Sequence, residues 1–341
     1  MTSTRHAPTA HVRIDHYSAV HLAAETARSV AKECGLPGAM PDQAAVVASE
    51  LASNLAKHAR DGSLYVQALP LGGGLEVLTA DHGPGMADIE RCLTDGYTTT
   101  GTLGTGLGAV RRIATDFMIA SHAVTGTLVC ARLTSPDQRG AATSDVALIR
   151  LPATREEHCG DAAAVFDHDL DHEQVRTAAV VDGLGHGIEA AEAAQAAIRS
   201  LHAVHGQPLP DIMTAMHRAL RHTRGAAVGL LRSAADRIEY CGVGNVRMVA
   251  VTHDQAHHRL TGQPGLVGWK MPTPRTHTTT VAPGTTTLLH SDGIDHRWTH
   301  TPSPHLLRLL PPLLALDVAH RHHNHRDDAT VLAIRPRRRH S

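Results

Sequence analysis

The chain has 341 residues, of which 42% are hydrophobic and only 2% aromatic, and its formal net charge is −1. That length suits about two domains. The balanced charge gives no reason to expect nucleic acid or a membrane surface as partner, and so few aromatics leave no stacking platform for single-stranded nucleic acid. Cores must therefore be built from Ala, Val, Leu and Ile. No apolar run is long enough to span a bilayer, and the N-terminus lacks an apolar signal core. Five cysteines, Cys34, Cys92, Cys130, Cys159 and Cys241, are scattered, odd in number and without CxxC spacing. They fit reduced thiols, so a cytoplasmic location is expected. The 28 histidines include no HExxH. Their densest run, from His320 to His325, reads as a polar loop ahead of a strand, because ligand spacing on a defined element is missing.

Residues 1–10 read as a loose terminus. Helices are predicted at 19–34, ended by Gly35 and Pro37, and at 41–59, where Ala44, Val47, Leu51 and Leu55 repeat at helical spacing. Strands follow at 64–69 and 75–80, then a helix at 108–117 that begins at a glycine run, then strands at 117–122 and 127–133. Residues 134–143 are small and polar, and mark a linker at 135–143 between domains at 11–134 and 144–336. Beyond it, strands are predicted at 146–151, 162–166 and 176–181. Helices are predicted at 187–204 and 210–222, and strands at 226–231, 237–241, 247–252 and 285–290. A helix at 305–316, despite Pro311 and Pro312, and a strand at 330–334 complete the pattern. The basic end from Arg335 to Arg339 reads as a solvated tail.

In the first half, Glu50, Asn54 and His58 share one face of the helix at 41–59. A carboxamide oxygen can complete the octahedral shell of Mg²⁺ beside a triphosphate, and a carboxylate can accept a proton from an attacking hydroxyl. A plain amphipathic helix with a wet face reads equally from this pair alone. Asp81 follows a strand, and Gly83 and Gly85 let the backbone turn tightly beside a flat ligand. An ionised Asp81 could accept from an exocyclic amine such as that of adenine, although Asp-Gly is also an ordinary turn. The run Gly101-Thr102-Leu103-Gly104-Thr105-Gly106-Leu107-Gly108 can turn several backbone N–H groups toward phosphate, with a helix beginning there.

In order, the stretch from Glu50 to Ala59, then Asp81-His82-Gly83-Pro84-Gly85, then Asp95-Gly96-Tyr97-Thr98-Thr99-Thr100 and 104–108 resemble the GHKL ATP-binding superfamily. Within it they look closest to the RsbT-like serine kinases and anti-sigma factors of bacterial switches. The resemblance covers 11–134. It implies ATP with Mg²⁺, Asn54 on the metal, Asp81 on adenine, and Gly83 and Gly85 in the purine turn. Gly104, Gly106 and Gly108 would lie at the phosphates, with Glu50 as general base toward a substrate serine. No phosphoacceptor-histidine segment precedes this domain, which argues against an autophosphorylating histidine kinase, and His58 reads as a residue that supports the site from behind or packs at the helix end.

In the second half, Asp161, Asp182, Asp292 and Asp327 each sit beside the end of a predicted strand. One Asp-Gly is usually a turn; four such carboxylates suit hard cations, Mg²⁺ or Mn²⁺. Two ions about 4 Å apart can clamp a phosphoryl group and acidify water. No Cys or His nucleophile motif favours a phosphoenzyme. The ordered set Cys159-Gly160-Asp161, Val181-Asp182-Gly183-Leu184-Gly185-His186-Gly187, Gly242-Val243-Gly244-Asn245, Ser291-Asp292-Gly293-Ile294 and Arg326-Asp327-Asp328-Ala329-Thr330 resembles the PPM-type metal-dependent serine/threonine phosphatases. The closest likeness is to the short SpoIIE/RsbX-like branch, over 144–336. The resemblance implies Asp182 bridging two metals, the Gly183 carbonyl on one, and Asp161, Asp292 and Asp327 completing the set, with Asp328 behind it. The Arg and Glu that larger relatives carry near the first Asp are not matched, and 242–245 reads as a structural turn.

The expected fold is α+β: an N-terminal GHKL, histidine kinase-like ATPase α/β sandwich, then a C-terminal PPM-type α/β/β/α sandwich. The expected function is a cytoplasmic bifunctional partner-switching regulator, a protein serine kinase and a metal-dependent protein serine/threonine phosphatase in one chain. By resemblance its partners are a STAS-domain antagonist protein and its phosphoserine form, with a sigma factor or a signalling complex downstream. An alternative is that the first domain binds ATP only as a non-enzymatic anti-sigma module fused to an active phosphatase. Another is an unrelated ATP-binding metabolic enzyme that hydrolyses small phosphoesters.

Overall fold

The computed structural model describes residues 7–86, 88–93, 106–138, 144–154 and 156–336. By its internal contacts the chain divides into two compact units, Met1–Thr143 and Ser144–Ser341. No helix among the described residues is long and apolar enough to cross a membrane.

The first unit runs β1 (Ala10–Ile14), α1 (Ala19–Glu33), α2 (Met40–His58), β2 (Gly62–Ala68), β3 (Gly74–Ala80), α3 (Ile89–Cys92), α4 (Gly106–Ile113), β4 (Asp116–His122) and β5 (Gly126–Thr134). Its five strands form one antiparallel sheet in the order β1-β2-β3-β5-β4. Alternation along each strand sorts the side chains. Leu64, Val66, Leu75, Val77, Val129 and Ala131 meet the helices, whose inward stripe includes Ala23, Ala27, Val47, Leu51 and Leu55. The intervening positions carry a buried polar chain. Gln67 donates to Glu76 at 2.6 Å and Arg132 donates to Glu76 at 2.8 Å, with both charged side chains almost wholly out of solvent.

The second unit holds β6 (Val146–Leu151), β7 (Asp161–Leu170), β8 (Glu173–Gly183), α5 (Ile188–Val204), α6 (Leu209–Ala219), β9 (Ala226–Ser233), β10 (Arg237–Val243), β11 (Arg247–Val251), β12 (Ala256–Thr261), β13 (His277–Thr280), β14 (Thr286–His290), α7 (Pro311–His322) and β15 (Ala329–Ile334). Two five-stranded antiparallel sheets result, β13-β10-β9-β8-β7 and β12-β11-β14-β15-β6. Helices α5 and α6 pack on the first and α7 on the second, giving an α/β/β/α sandwich. Alanines at 193, 194 and 197, all wholly buried, let α5 lie close on the sheet, where Ala162, Ala179 and Val181 receive it. This is how a chain so poor in aromatics fills a core. The β7–β8 hairpin turns on Asp171 and His172, both left-handed (φ 48° and 66°), the conformation that matches strand twist in a two-residue turn.

Several elements differ from the sequence expectation. The helix expected at 108–117 is α4, ending at Ile113. Thr115 donates both its N–H and its hydroxyl to the Arg132 carbonyl, which draws the chain into the sheet. The helix expected at 305–316 is instead a 3₁₀ turn at Leu306–Arg308 followed by α7, with both prolines in its first turn. There a missing N–H costs nothing and the fixed φ suits a helix. His320 and His322 consequently lie in the last turn of α7, not in a loop. Strands β1, β12 and β13 went unpredicted because all three are sheet edges, and the last two are mostly solvent-facing and polar.

Removing one partner of the Glu76–Arg132 pair leaves a charge buried without its counterion, which costs about 3–5 kcal/mol. Arg132→Met is therefore expected to destabilise the first unit by about that amount in urea, read by hydrogen exchange in β3 and β5. Adding Glu76→Leu should recover most of the loss. A single variant as stable as the parent would mean the pair is not buried in solution.

Candidate nucleotide and metal sites

In the first unit, α2 turns its buried stripe to the sheet and leaves Glu50 and Asn54 half-buried, one turn apart, while His58 is exposed. Asp81 follows β3 directly and is buried. Its Oδ1 accepts from the Gly83 N–H at 2.6 Å and from the Thr127 N–H at 3.3 Å. Two backbone donors thus hold the carboxylate's orientation. Gly85 has φ 70°, and a Cβ there would come 2.8 Å from the His122 carbonyl oxygen, so only glycine fits this approach. Gly106 opens α4 and Gly108 lies inside its first turn, two residues further into the helix than expected. Gly104 lies outside the described residues.

In the second unit, strand register builds the other site. Asp161, first in β7, pairs with Asp182 near the end of β8. The Asp161 Oδ2 accepts from the Ser291 hydroxyl at 2.6 Å, and Ser291 Oγ in turn accepts from the Thr330 N–H at 2.9 Å. The sequence Ser291-Asp292-Gly293 therefore ties the end of β14 to β7 and β15. Asp292 Oδ2 accepts from Asn245 Nδ2 at 2.6 Å, and Asp292 shares a side-chain hydrogen bond with Asp182. Asp327 follows α7 and accepts from the Asp328 N–H at 3.0 Å. Asp328 is buried, and its two oxygens accept from Ala153 N (2.9 Å) and Gly160 N (2.8 Å), which clamps the segment before β7. A side chain at Gly183 would strike the Ala190 carbonyl, and one at Gly293 the Asp328 carbonyl. Close backbone approach, more than turn geometry, demands these two glycines.

The four carboxylates act on one another. Burial, then Asp161, Asp292 and Asp327, pushes Asp182 well above the usual carboxylate range. Burial also raises Asp161, with Asp328 adding to it and Ser291 opposing it. Burial and then Asp292 raise Asp327. Among the described residues no group of three ligand side chains is drawn in tightly enough to hold an ion as it stands. The donor set nevertheless fits a hard divalent cation. It is all oxygen, and Asp161 Oδ1 is buried with no hydrogen-bond partner. Thr330 is near enough to ease that charge, yet its hydroxyl makes no hydrogen bond of normal geometry.

Asn245 and Ser291 were not singled out from sequence, although both stand inside the quoted motifs. The turn at 242–245 is structural, as its close-packed glycines indicate, but its Asn also reaches Asp292. Next to the 183–187 loop, Arg224 lies about 3.1 Å from where a Gly185 side chain would begin and is paired with Glu189. His186 Nδ1 meets Glu156 Oε1 at 3.0 Å.

Residues 15–133 match the family described as "Histidine kinase-like ATPase domain", and residues 173–337 match "Stage II sporulation protein E (SpoIIE)". The chain is 36% identical over 107 residues to "Serine/threonine-protein kinase RsbT" of Bacillus subtilis (strain 168), covering 31% of this chain and 80% of the relative. It is 28% identical over 141 residues to "Phosphoserine phosphatase RsbX" of the same organism, covering 40% of this chain and 68% of the relative. A solved structure described as "The bacterial stressosome: a modular system that has been adapted to control secondary messenger signaling" superposes with a TM-score of 0.50 and 29% identity, over 56% of this chain and 98% of that one.

Raised carboxylate values in the fold mean that it binds more protons than the unfolded chain. The stability these groups contribute is then fully present below the unfolded carboxylate pKa, about 4, and is lost as pH rises through the folded values. In chelator, Asp182→Asn should raise the melting temperature at about pH 8 above the parent's and flatten its decline with pH. Both tryptophans, Trp269 and Trp298, lie in the second unit, so their fluorescence reads its melting alone. An Asn variant that melts with the parent at every pH would rule out the crowding.

With these matches and this architecture, the chain belongs to the RsbT-like histidine kinase-like ATPase family through its first unit, and its second unit is a SpoIIE-type PPM phosphatase domain.

Proposed function

We propose that this chain sets the phosphorylation state of a STAS-type antagonist protein in both directions. The domain at 11–134 transfers phosphate from ATP to a serine or threonine, and the domain at 144–336 removes it. The observation that carries the phosphatase half is the convergence of Asp161, Asp182, Asp292 and Asp327, with one buried oxygen of Asp161 left without a partner. The kinase half rests on the 36% identity to RsbT and on the placing of Glu50, Asn54 and Asp81.

In the phosphatase domain, Asp161, Asp182, the Gly183 carbonyl, Asp292 and Asp327 would hold two Mn²⁺ or Mg²⁺ ions. Bound there, such a pair offsets phosphoryl charge and acidifies water. The chain's own part is orientation. Ser291 fixes one oxygen of Asp161, and Asn245 fixes one oxygen of Asp292. In hydrolysis the water oxygen bonds to phosphorus, the serine–phosphorus ester bond breaks, and the serine oxygen takes up a proton. In the kinase domain, Asn54 would face the Mg²⁺ of ATP, and Asp81 would accept from adenine beside Gly83 and Gly85. Gly104, Gly106 and Gly108 would line the phosphates, and Glu50 would accept the proton of the attacking hydroxyl.

Incubating the intact protein with a purified STAS partner and labelled ATP, then removing the ATP, tests the whole reading. Label on the partner should rise and then fall, and with Asp182→Ala it should rise and stay. Tight sigma-factor binding with no label transfer would instead favour a non-enzymatic anti-sigma first domain. Label that persists with the parent protein would sink the shared-substrate reading.

Losing a charge-assisted hydrogen bond to adenine weakens binding by about 10–100-fold. Calorimetry of Asp81→Asn should read that loss. Glu50→Ala should keep its ATP affinity and slow phosphotransfer by about 10²–10⁴-fold. Unchanged ATP affinity in Asp81→Asn, or an unchanged transfer rate in Glu50→Ala, would remove the corresponding role.

A further inference from the structure

Beside Asp292 the second unit contains a cavity of about 510 Å³. Its wall includes Arg247, Asp292, His296, Arg297, Arg321 and His322. Most charges there are already matched. Arg297 is held by both oxygens of Asp295 and Arg321 by Asp317 at 2.7 Å, while Asp292 accepts from Asn245 and shares a hydrogen bond with Asp182. Arg247 is the exception. It opens β11, is half-buried, and makes no hydrogen bond or ion pair among the described residues. Its charge is felt across the cavity: burial and then Arg247 hold His296 below the ordinary histidine value. Burial likewise lowers His322. Both rings are thus mainly neutral at pH 7, each with one N–H to donate. A half-buried guanidinium with five donors and no acceptor, beside two neutral imidazoles, is a receptor for an anion.

We propose that this cavity binds an aspartate or glutamate side chain of the substrate protein, within about three residues of the phosphoserine. This rests on the phosphatase reading of the second unit. The span follows from the shared wall. Asp292 belongs to both the carboxylate cluster and the cavity, so a peptide whose phosphoserine lies at the cluster reaches the cavity with its neighbours, at about 3.3–3.6 Å per residue. Arg247 then selects substrates by a charge-assisted hydrogen bond that an amide in the same place would not make.

The test uses the full chain in Mn²⁺ buffer and two peptides that differ only in Asp or Asn near the modified serine. Each carries a non-hydrolysable phosphonate, so anisotropy reads binding without turnover. The parent should prefer the acidic peptide by about tenfold. The preference should vanish in Arg247→Gln, persist in part in Arg247→Lys, and fall only slightly in Arg297→Gln, whose charge Asp295 already matches. Tryptophan melting confirms that each variant is folded, and if Arg247→Gln is not, the graded pair of Arg247→Lys and Arg297→Gln decides. Equal affinity of the parent for both peptides would overturn the proposal, as would a preference that survives in folded Arg247→Gln. Inorganic phosphate erasing the acidic preference would assign the cavity to released product, and the proposal would also fail. p-Nitrophenyl phosphate hydrolysis, run in parallel, reads the phosphatase assignment by itself: a parent that fails there but prefers the acidic peptide sinks that assignment and keeps the subsite.

Discussion

Mutual repulsion among carboxylates is the constraint around which the second unit is arranged. Asp161, Asp182, Asp292 and Asp327 reach one end of the sandwich from four separate segments; beyond burial, Asp161, Asp292 and Asp327 make Asp182 harder to ionise, and Asp292 does the same to Asp327. Such an arrangement opposes folding unless the surrounding structure over-determines it. The second unit does so with backbone. Ser291 bridges β7 and β15 from the end of β14, Asp328 clamps the approach to β7 with two N–H groups, and Gly183 and Gly293 admit main chain where any side chain would collide. The sheets, helices and alanine-rich core serve to hold these segments where unaided electrostatics would part them. A cation at the cluster would turn the same repulsion into attraction and draw the proposed ligand set together.

The first unit solves a milder problem. Asp81 is also a buried carboxylate, and its Oδ1 is met by two backbone donors. Hydrogen bonding to the charged form offsets the burial. The Glu76–Arg132 pair, on the sheet face opposite the helices, uses a full counter-charge instead. Three acidic arrangements in one chain thus illustrate three remedies: dipoles, a counterion, and a scaffold that tolerates the strain.

Sequence reading reached the architecture of both units because helical stripes such as Val47, Leu51 and Leu55 and the strand ends at Asp161 and Asp182 are local signals. It failed where the deciding partner is distant. Helix α4 stops at Ile113 because Thr115 bonds to Arg132, seventeen residues along the chain, and nothing near Thr115 announces that. The edge strands β12 and β13 bury too little to show an alternating pattern. At the candidate metal site, Asp182 and Asp292 were visible as Asp-Gly motifs, and Asp161 and Asp327 by their places beside strand ends. Asn245 and Ser291 were not, because their importance comes from side-chain contacts across 47 and 130 residues of chain. Gly104 belongs to a glycine pattern that sequence makes plain, and it lies outside the described residues.

The turn at Asp171 and His172 has a bearing on all of this. Both residues are exposed and left-handed, and the hairpin they close pairs Leu170 with Glu173 at one end and Asp161 with Asp182 at the other. The strand between them is ten residues long, or about 30 Å. Because side chains alternate, a slip of one residue in pairing would turn Asp161 to the opposite face of the sheet. The position of a buried carboxylate is thus counted out from a solvent-washed loop tip at the far end of its strand. At that tip the chemistry of the two residues can drift among those that accept a left-handed backbone, but their number cannot. Homologous chains should therefore vary in composition there and keep a fixed loop length, an inheritance of spacing and not of side chains.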